Sequence, residues 1–173
     1  MKTIKKLSAM LALTMMTIFS SCSSSDSGGS GNVPATGSYI NAKVNGASFT
    51  TIISGVSAAS ASRSGTGADT LIMVLGSNLS ANSVSINLFG ITATGTYSLN
   101  SSSDSVMAYT ESAAGVAYGT GICDGSVGTI NVTYLDATKI EGTFTFTGKD
   151  GENCAAAEKS VTEGKFRGVF VSN

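Results

Sequence analysis

The chemistry open to this chain is set first by what it lacks. It contains no histidine, the side chain most often used as a general base and as a metal ligand near neutral pH. A Ser-His-Asp triad and a Cys-His dyad are therefore excluded. No Gly-x-Ser-x-Gly elbow and no phosphate-binding glycine loop occurs. Carboxylates remain. Asp136, Glu141, Asp150, Glu152 and Glu163 would have to face each other in pairs across a cleft to hydrolyse a glycoside. Their spacing forces no such pairing, and most fall at turn signals, where acids stay solvated. Asp150-Gly151-Glu152-Asn153 carries oxygens for a calcium ion but lacks the repeated acid spacing of a binding loop. A Ser-Lys dyad needs a desolvated lysine, and Lys43, Lys139, Lys149, Lys159 and Lys165 all fall at solvent-facing or turn positions. Sugar binding commonly uses exposed aromatic platforms. There is no tryptophan, Tyr97, Tyr118 and Tyr134 fall in the apolar phase of their segments, and Tyr39 and Tyr109 are freer to face solvent. The expectation is a non-enzymatic protein with no metal site and no cofactor.

The cysteines carry the clearest chemistry. Residues 1–21 have the parts of a secretory signal: a basic start with Lys2, Lys5 and Lys6, then an uncharged apolar run from Leu7 to Phe19. That run, about thirteen residues, is too short to cross a hydrocarbon core of about 30 Å as a helix. Phe19-Ser20-Ser21-Cys22 then resembles a lipobox, with Phe19 where leucine is usual. Small residues before the cysteine suit the signal peptidase, and the Cys22 thiol would receive a diacylglycerol thioether. Residues 22–37 would form a lipidated, flexible tether rich in serine and glycine, without apolar residues to join a core. A coil of about fifteen residues reaches roughly 20 Å. Two or three acyl chains, each CH₂ worth about 0.8 kcal/mol when buried, make such an anchor effectively permanent. With Cys22 lipidated, Cys123 and Cys154 are an even pair in an oxidising compartment. A bridge between them would contribute roughly 3–4 kcal/mol on the chain-entropy model, provided their Cα atoms lie within about 7 Å. Two thiols without histidine are too few for a zinc site.

Around this chemistry the dominant period is two, from residue 38 to the end. Ile40, Ala42 and Val44 alternate with polar residues, as do Val84, Ile86 and Leu88, then Tyr97 and Leu99, then Ile130, Val132 and Tyr134. Val116, Tyr118 and Ile122 share a face. So do Ile140, Gly142, Phe144 and Phe146, and likewise Phe166, Gly168 and Phe170. Alternation of this kind places one side on a core and the other in water. Thr70 to Leu75 is continuously apolar and reads as a more central strand. Asn45-Gly46, Ser64-Gly65, Asp124-Gly125 and Asp150-Gly151 are turn dipeptides, Glu163-Gly164 is a weaker one, and Asp136-Ala137-Thr138-Lys139 reads as a tight hairpin. Ala155 to Lys159 has helix propensity but is too short to hold a helix alone. The pattern predicts a single all-β domain over residues 38–173. It would be an antiparallel sandwich of about ten strands, with a closed or flattened meander barrel as the alternative.

Charged residues make up only 12% of the chain, and the net charge is −1. Removing the three lysines of the signal segment leaves the mature side chains at −4, with no basic footprint for nucleic acid. The partner so implied is a membrane, reached through the lipid.

Ile140-Glu141-Gly142-Thr143-Phe144-Thr145-Phe146 followed by Val161-Thr162-Glu163-Gly164-Lys165-Phe166 resembles a family of uncharacterised β-rich Bacteroidetes lipoproteins. In that family an apolar-x-Gly-Thr-Phe-x-Phe strand precedes a Thr-x-Gly-x-Phe strand. Val44-Asn45-Gly46-Ala47-Ser48-Phe49 is similar to its opening hairpin, and Gly95-Thr96-Tyr97-Ser98-Leu99 to its central strand. The resemblance covers most of residues 38–171. It implies a β-rich domain outside the cytoplasm and brings no catalytic residues. The run after Cys22, with one acid at Asp26, also resembles the start of such lipoproteins and leaves periplasmic and surface-facing placements on the outer membrane both open. Asp69-Thr70-Leu71 and Asp104-Ser105-Val106 resemble the Asp-Ser/Thr-apolar site for O-glycosylation in Bacteroidetes envelopes, making Thr70 and Ser105 candidate sites. Three roles compete: an envelope binding or structural module, a binder of an apolar or glycan ligand in a barrel or on a sheet face, and a carboxylate-based hydrolase. The missing catalytic repertoire favours the first.

Overall fold

The computed structural model describes residues 36–171. The signal segment, Cys22 and almost all of the tether lie outside the described residues. Thirteen strands follow one another: β1 (Tyr39–Val44), β2 (Ala47–Thr50), β3 (Ile52–Ile53), β4 (Val56–Ser57), β5 (Ala59–Ser64), β6 (Leu71–Ser77), β7 (Ser83–Phe89), β8 (Gly95–Asn100), β9 (Val106–Glu111), β10 (Val116–Gly119), β11 (Val127–Leu135), β12 (Lys139–Asp150) and β13 (Lys159–Val169). A 3-10 turn at Gly67–Asp69 is the sole helical element among the described residues. The chain is all-β, as its period of two predicts. β3 and β4 form a separate two-residue hairpin, one reason the strand count exceeds ten.

The other eleven strands form one antiparallel sheet curled into a half-barrel. One arm runs β2-β1-β13-β12-β11-β8, the other β10-β9-β7-β6-β5. Sandwich and flattened barrel thus meet in a single curled sheet whose two arms share one core. The arms join where the far end of β12 leaves β11 and pairs with β10, Tyr118 opposite Asp150 and Gly119 opposite Lys149. Gly148 makes this corner possible, since a Cβ there would stand 2.4 Å from the Tyr118 carbonyl oxygen. At the opposite side β5 touches the end of β13 through one parallel bridge, Ala61 to Phe170.

The core is one cluster of inward side chains, including Ile40, Ile72, Val74, Ile86, Met107, Ile130, Phe144, Phe146 and Phe166. Its packing explains the glycine-aromatic motif. Gly142 lies directly opposite Phe166, Gly164 opposite Phe144, and Gly128 opposite Phe146. A Cβ on Gly142 would meet the Phe166 ring at 2.8 Å, and one on Gly164 the Phe144 ring at 2.7 Å. Each large ring therefore lies over the bare backbone of the neighbouring strand. Phe144 packs edge-on against Phe166 at 6.1 Å and stacks with Phe146 at 6.3 Å, geometries that suit aromatic quadrupoles.

Several local expectations change. The apolar run in β6 lies between two strands, yet only one of its faces is covered: Ile72 and Val74 are buried while Met73 and Leu75 are 44% and 46% exposed. Apolar character on both faces does not create a second layer to bury them. Glu163-Gly164 is no turn but a bulge inside β13. One extra residue there opposes both β12 and β1, with Glu163 at φ 53°. Ile122 falls beyond the end of β10 and is 72% exposed. Tyr109, expected to be free, is buried, in edge contact with Phe49 and stacked with Tyr118. Asn45-Gly46 does form the predicted hairpin, with φ of 47° and 83°, and Ala155 to Glu158 is irregular. Lys159 reaches from β13 to Glu111 on β9 at 2.6 Å and lies over the Tyr118 ring, clamping the two arms together. That ion pair raises the Lys159 pKa.

Cys123 and Cys154 are bridged, with Cα atoms 5.4 Å apart. The bond ties the β10–β11 connection to the β12–β13 connection, beside the corner where the sheet turns.

Candidate functional site

The most concentrated chemistry lies on the outer face of the β1-β13-β12-β11 arm, at the end carrying the β11–β12 hairpin. Up to Val132, β11 keeps strict alternation. Thr133 is then an extra residue: Val132 opposes Gly142, but Tyr134 opposes Glu141. The bulge changes the phase, so Tyr134 points outward and is 41% exposed. Across the sheet Glu141 opposes Arg167, and Arg167 opposes Tyr39. Four neighbouring strands thus contribute one straight row, Tyr134–Glu141–Arg167–Tyr39. With strands about 4.8 Å apart, the row is roughly 14 Å long.

Ion pairs lock its middle. Glu141 Oε1 accepts from Lys139 Nζ and from Arg167 Nε, both at 2.9 Å. Lys139 Nζ also lies 4.3 Å from the centre of the Tyr134 ring, and the Arg167 guanidinium 5.4 Å from that of Tyr39, close enough for cation–π attraction. Hydrogen bonding from Lys139, then from Arg167, holds the Glu141 carboxyl below its ordinary pKa. The hairpin anchors the row. Asp136 Oδ2 accepts from the Tyr134 hydroxyl at 2.6 Å. Its Oδ1 accepts from the Thr138 amide at 2.7 Å, the Thr138 hydroxyl at 2.8 Å and the Lys139 amide at 2.9 Å. The Tyr134 hydroxyl first, and the Thr138 and Lys139 donors after it, hold the Asp136 carboxyl well below the usual carboxylate range, and the same bond raises the Tyr134 pKa. Arg63 of the other arm donates to the Asp136 carbonyl at 2.9 Å.

This arrangement gives a pH prediction. A carboxyl whose folded pKa is depressed contributes stability that is present above its ordinary pKa of 3.8 and is lost as pH falls below it. Asp136→Asn keeps an oxygen for the turn amides but cannot titrate. The urea midpoint of the native protein is expected to exceed that of Asp136→Asn between pH 5 and 7. The gap should close as pH drops below about 4. A gap that is constant with pH would show that the Asp136 charge does not support the hairpin.

The other candidate residues are scattered. Glu163 pairs with Lys43 on the outer face of β13 and β1 at 2.8 Å, and Asp150 caps the Glu152 amide in a connection. Of the acids read from the sequence, only Asp136 and Glu141 come together, and they do so beside cations on a sheet face rather than across a cleft. The two candidate O-glycosylation residues are both buried. Thr70 is fully buried between the 3-10 turn and β6. Ser105 is 8% exposed, with its hydroxyl held between the amide and carbonyl of Phe89. An apolar ligand inside a barrel is also disfavoured, because Phe144, Phe146, Phe166 and Met107 occupy the space between the arms. Among the described residues no cluster of acids and cysteines could hold a metal ion.

The described residues form a curled antiparallel half-barrel with one disulfide and an outward row of paired charges between two tyrosines. The chain belongs to a family described as a domain of unknown function (DUF6252), whose model matches residues 36–170. No curated protein and no solved structure matches it.

Proposed function

We propose that the protein is a lipid-anchored cell-envelope protein of the Bacteroidetes type, held to the outer membrane through Cys22. Its β-domain serves there as a non-enzymatic binding module. The observation that carries this reading is the sequence Phe19-Ser20-Ser21-Cys22 after a basic start and a short apolar run, with a serine and glycine tether behind it. The Cys123–Cys154 bridge supports it, since disulfides persist in oxidising compartments. Binding is favoured over hydrolysis because the acids at the site are spoken for: Glu141 is engaged by Lys139 and Arg167, and Asp136 by the hairpin it holds.

The test is metabolic labelling. Full-length protein made in a Gram-negative host with radiolabelled palmitate is expected to carry label, lose residues 1–21 and enter the detergent phase. Cys22→Ala should remain unlabelled. Label that survives Cys22→Ala, or an unlabelled native protein, would overturn the anchor.

A further inference from the structure

We infer that the row Tyr134–Glu141–Arg167–Tyr39 is a binding platform for a neutral polysaccharide. The inference deepens the binding-module reading and rests on it.

Three properties of the row select that chemistry. The first is charge. Asp136 and Glu141 are interleaved with Lys139 and Arg167, with Arg63 at the Asp136 carbonyl and Lys165 in the adjoining row, so no cluster of carboxylates or run of one sign marks the row itself for a charged polymer. The second is the pairing of ring faces with polar edges. Tyr134 and Tyr39 stand at the ends, and a carboxylate, an ammonium and a guanidinium lie between them. A sugar presents an apolar face of C–H groups that packs on an aromatic ring, and a rim of hydroxyls that both donate and accept. A ligand of a few sugar units laid across the strands would meet a ring at each end and fixed hydrogen-bonding groups in the middle. The third is preorganisation. The ion pairs and the Asp136 bond already hold these side chains on paired strands, so little rotamer freedom remains to be lost on binding.

The surroundings favour a saccharide over a protein partner. The next row on the same face is Thr96–Asn131–Thr143–Lys165–Asn41–Thr50, made of hydroxyls and amides with one cation. The apolar groups at this end, Val169 opposite Lys139 and Val171 and Ala137 by the hairpin, sit at its edge rather than within the row. Protein interfaces of useful affinity are built around a more apolar centre. Hydroxyl and amide groups suit a polymer that is itself mostly hydroxyl.

The experiment is affinity electrophoresis of the full chain, extracted in mild detergent, through native gels holding dextran, mannan or galactan, with polygalacturonate as the acidic counterpart. At least one neutral polymer is expected to retard the native protein, and polygalacturonate is not. Tyr134→Ala and Tyr39→Ala should each weaken the retardation about tenfold or more, whereas Tyr134→Phe, which keeps the ring, should retain most of it. An unchanged thermal transition shows that the outward-facing variants still fold. Because the chain has no tryptophan, tyrosine fluorescence on titration with the retarding polymer is a second readout, expected to change in the native protein and not in the double variant. Three results would each overturn the platform: no retardation by any neutral polymer, equal retardation of the Tyr39→Ala/Tyr134→Ala double variant, or preferential retardation by polygalacturonate. Each leaves the Cys22 labelling result untouched, so loss of the platform and loss of the anchor are read separately.

Discussion

Phe166→Ala is expected to lower the stability of the domain by about 4 kcal/mol, within the 3–5 kcal/mol usual for a buried phenylalanine. Phe166 is 1% exposed, packs edge-on against Phe144, and covers the bare backbone of Gly142 on the next strand. On the β12 side the residue opposite is a glycine with no side chain to move into the space, and Ile40, opposite on β1, is already packed in the core. A domain typically has 5–15 kcal/mol in all, so this one substitution removes a large part of it. Urea unfolding followed by circular dichroism measures the loss. A cost below about 2 kcal/mol would mean that the ring does not support the arm as its packing indicates. The reciprocal change separates two explanations of the motif. Gly142→Ala places a Cβ 2.3 Å from the Asn131 carbonyl oxygen as well as against the Phe166 ring. The ring can be trimmed but the backbone carbonyl cannot. Gly142→Ala should therefore stay strongly destabilised when combined with Phe166→Leu, and full recovery in that pair would show that only the ring excludes a side chain.

The second large effect is expected from the disulfide. Cys123→Ser with Cys154→Ser opens a loop of sequence separation 31. On the chain-entropy model this costs about 3–4 kcal/mol, and for a domain of this size it lowers Tm by roughly 10–15 °C. Much of the loss lies in the unfolded chain, which becomes more expanded, so the denaturant slope should rise in the double variant. Calorimetry and urea unfolding of the two proteins measure both quantities. A Tm change below about 3 °C would place the bond among those whose constraint the fold does not need. The location of the bridge, beside the corner where β12 passes from one arm to the other, makes that corner the first place where protection from hydrogen exchange should fall.

The inner face of β12 was legible in the sequence because Ile140, Gly142, Phe144 and Phe146 alternate without interruption, and a strand with one wet face needs nothing more to be recognised. The Asp136–Lys139 hairpin was legible for the same local reason: its turn chemistry is contained within four residues. Met73 and Leu75 show the limit. Their types predict burial, but burial needs a second layer, and composition within β6 carries no information about whether one exists. Tyr134 shows another. It follows Val132 at the spacing of a core residue, and the extra residue that turns it outward has no side-chain signature of its own. Tyr109 errs in the opposite direction, because the curl of the sheet brings Phe49 over it from a strand distant in the chain.

By itself the sequence determined what is local: the period of two, the turns, the lack of histidine-based chemistry, the tetrapeptide ending in Cys22 that resembles a lipobox, and the even pair Cys123 and Cys154. Tertiary structure alone decided what depends on register. Asp136 and Glu141 were visible as acids, Tyr39 as an exposed ring and Arg167 not at all. They belong to one row only because β1, β13, β12 and β11 pair side by side with the Thr133 bulge between them. The physical reason is that cross-strand position is set by hydrogen-bond register over the whole sheet, and one inserted residue changes which side chains meet without changing which residues are present.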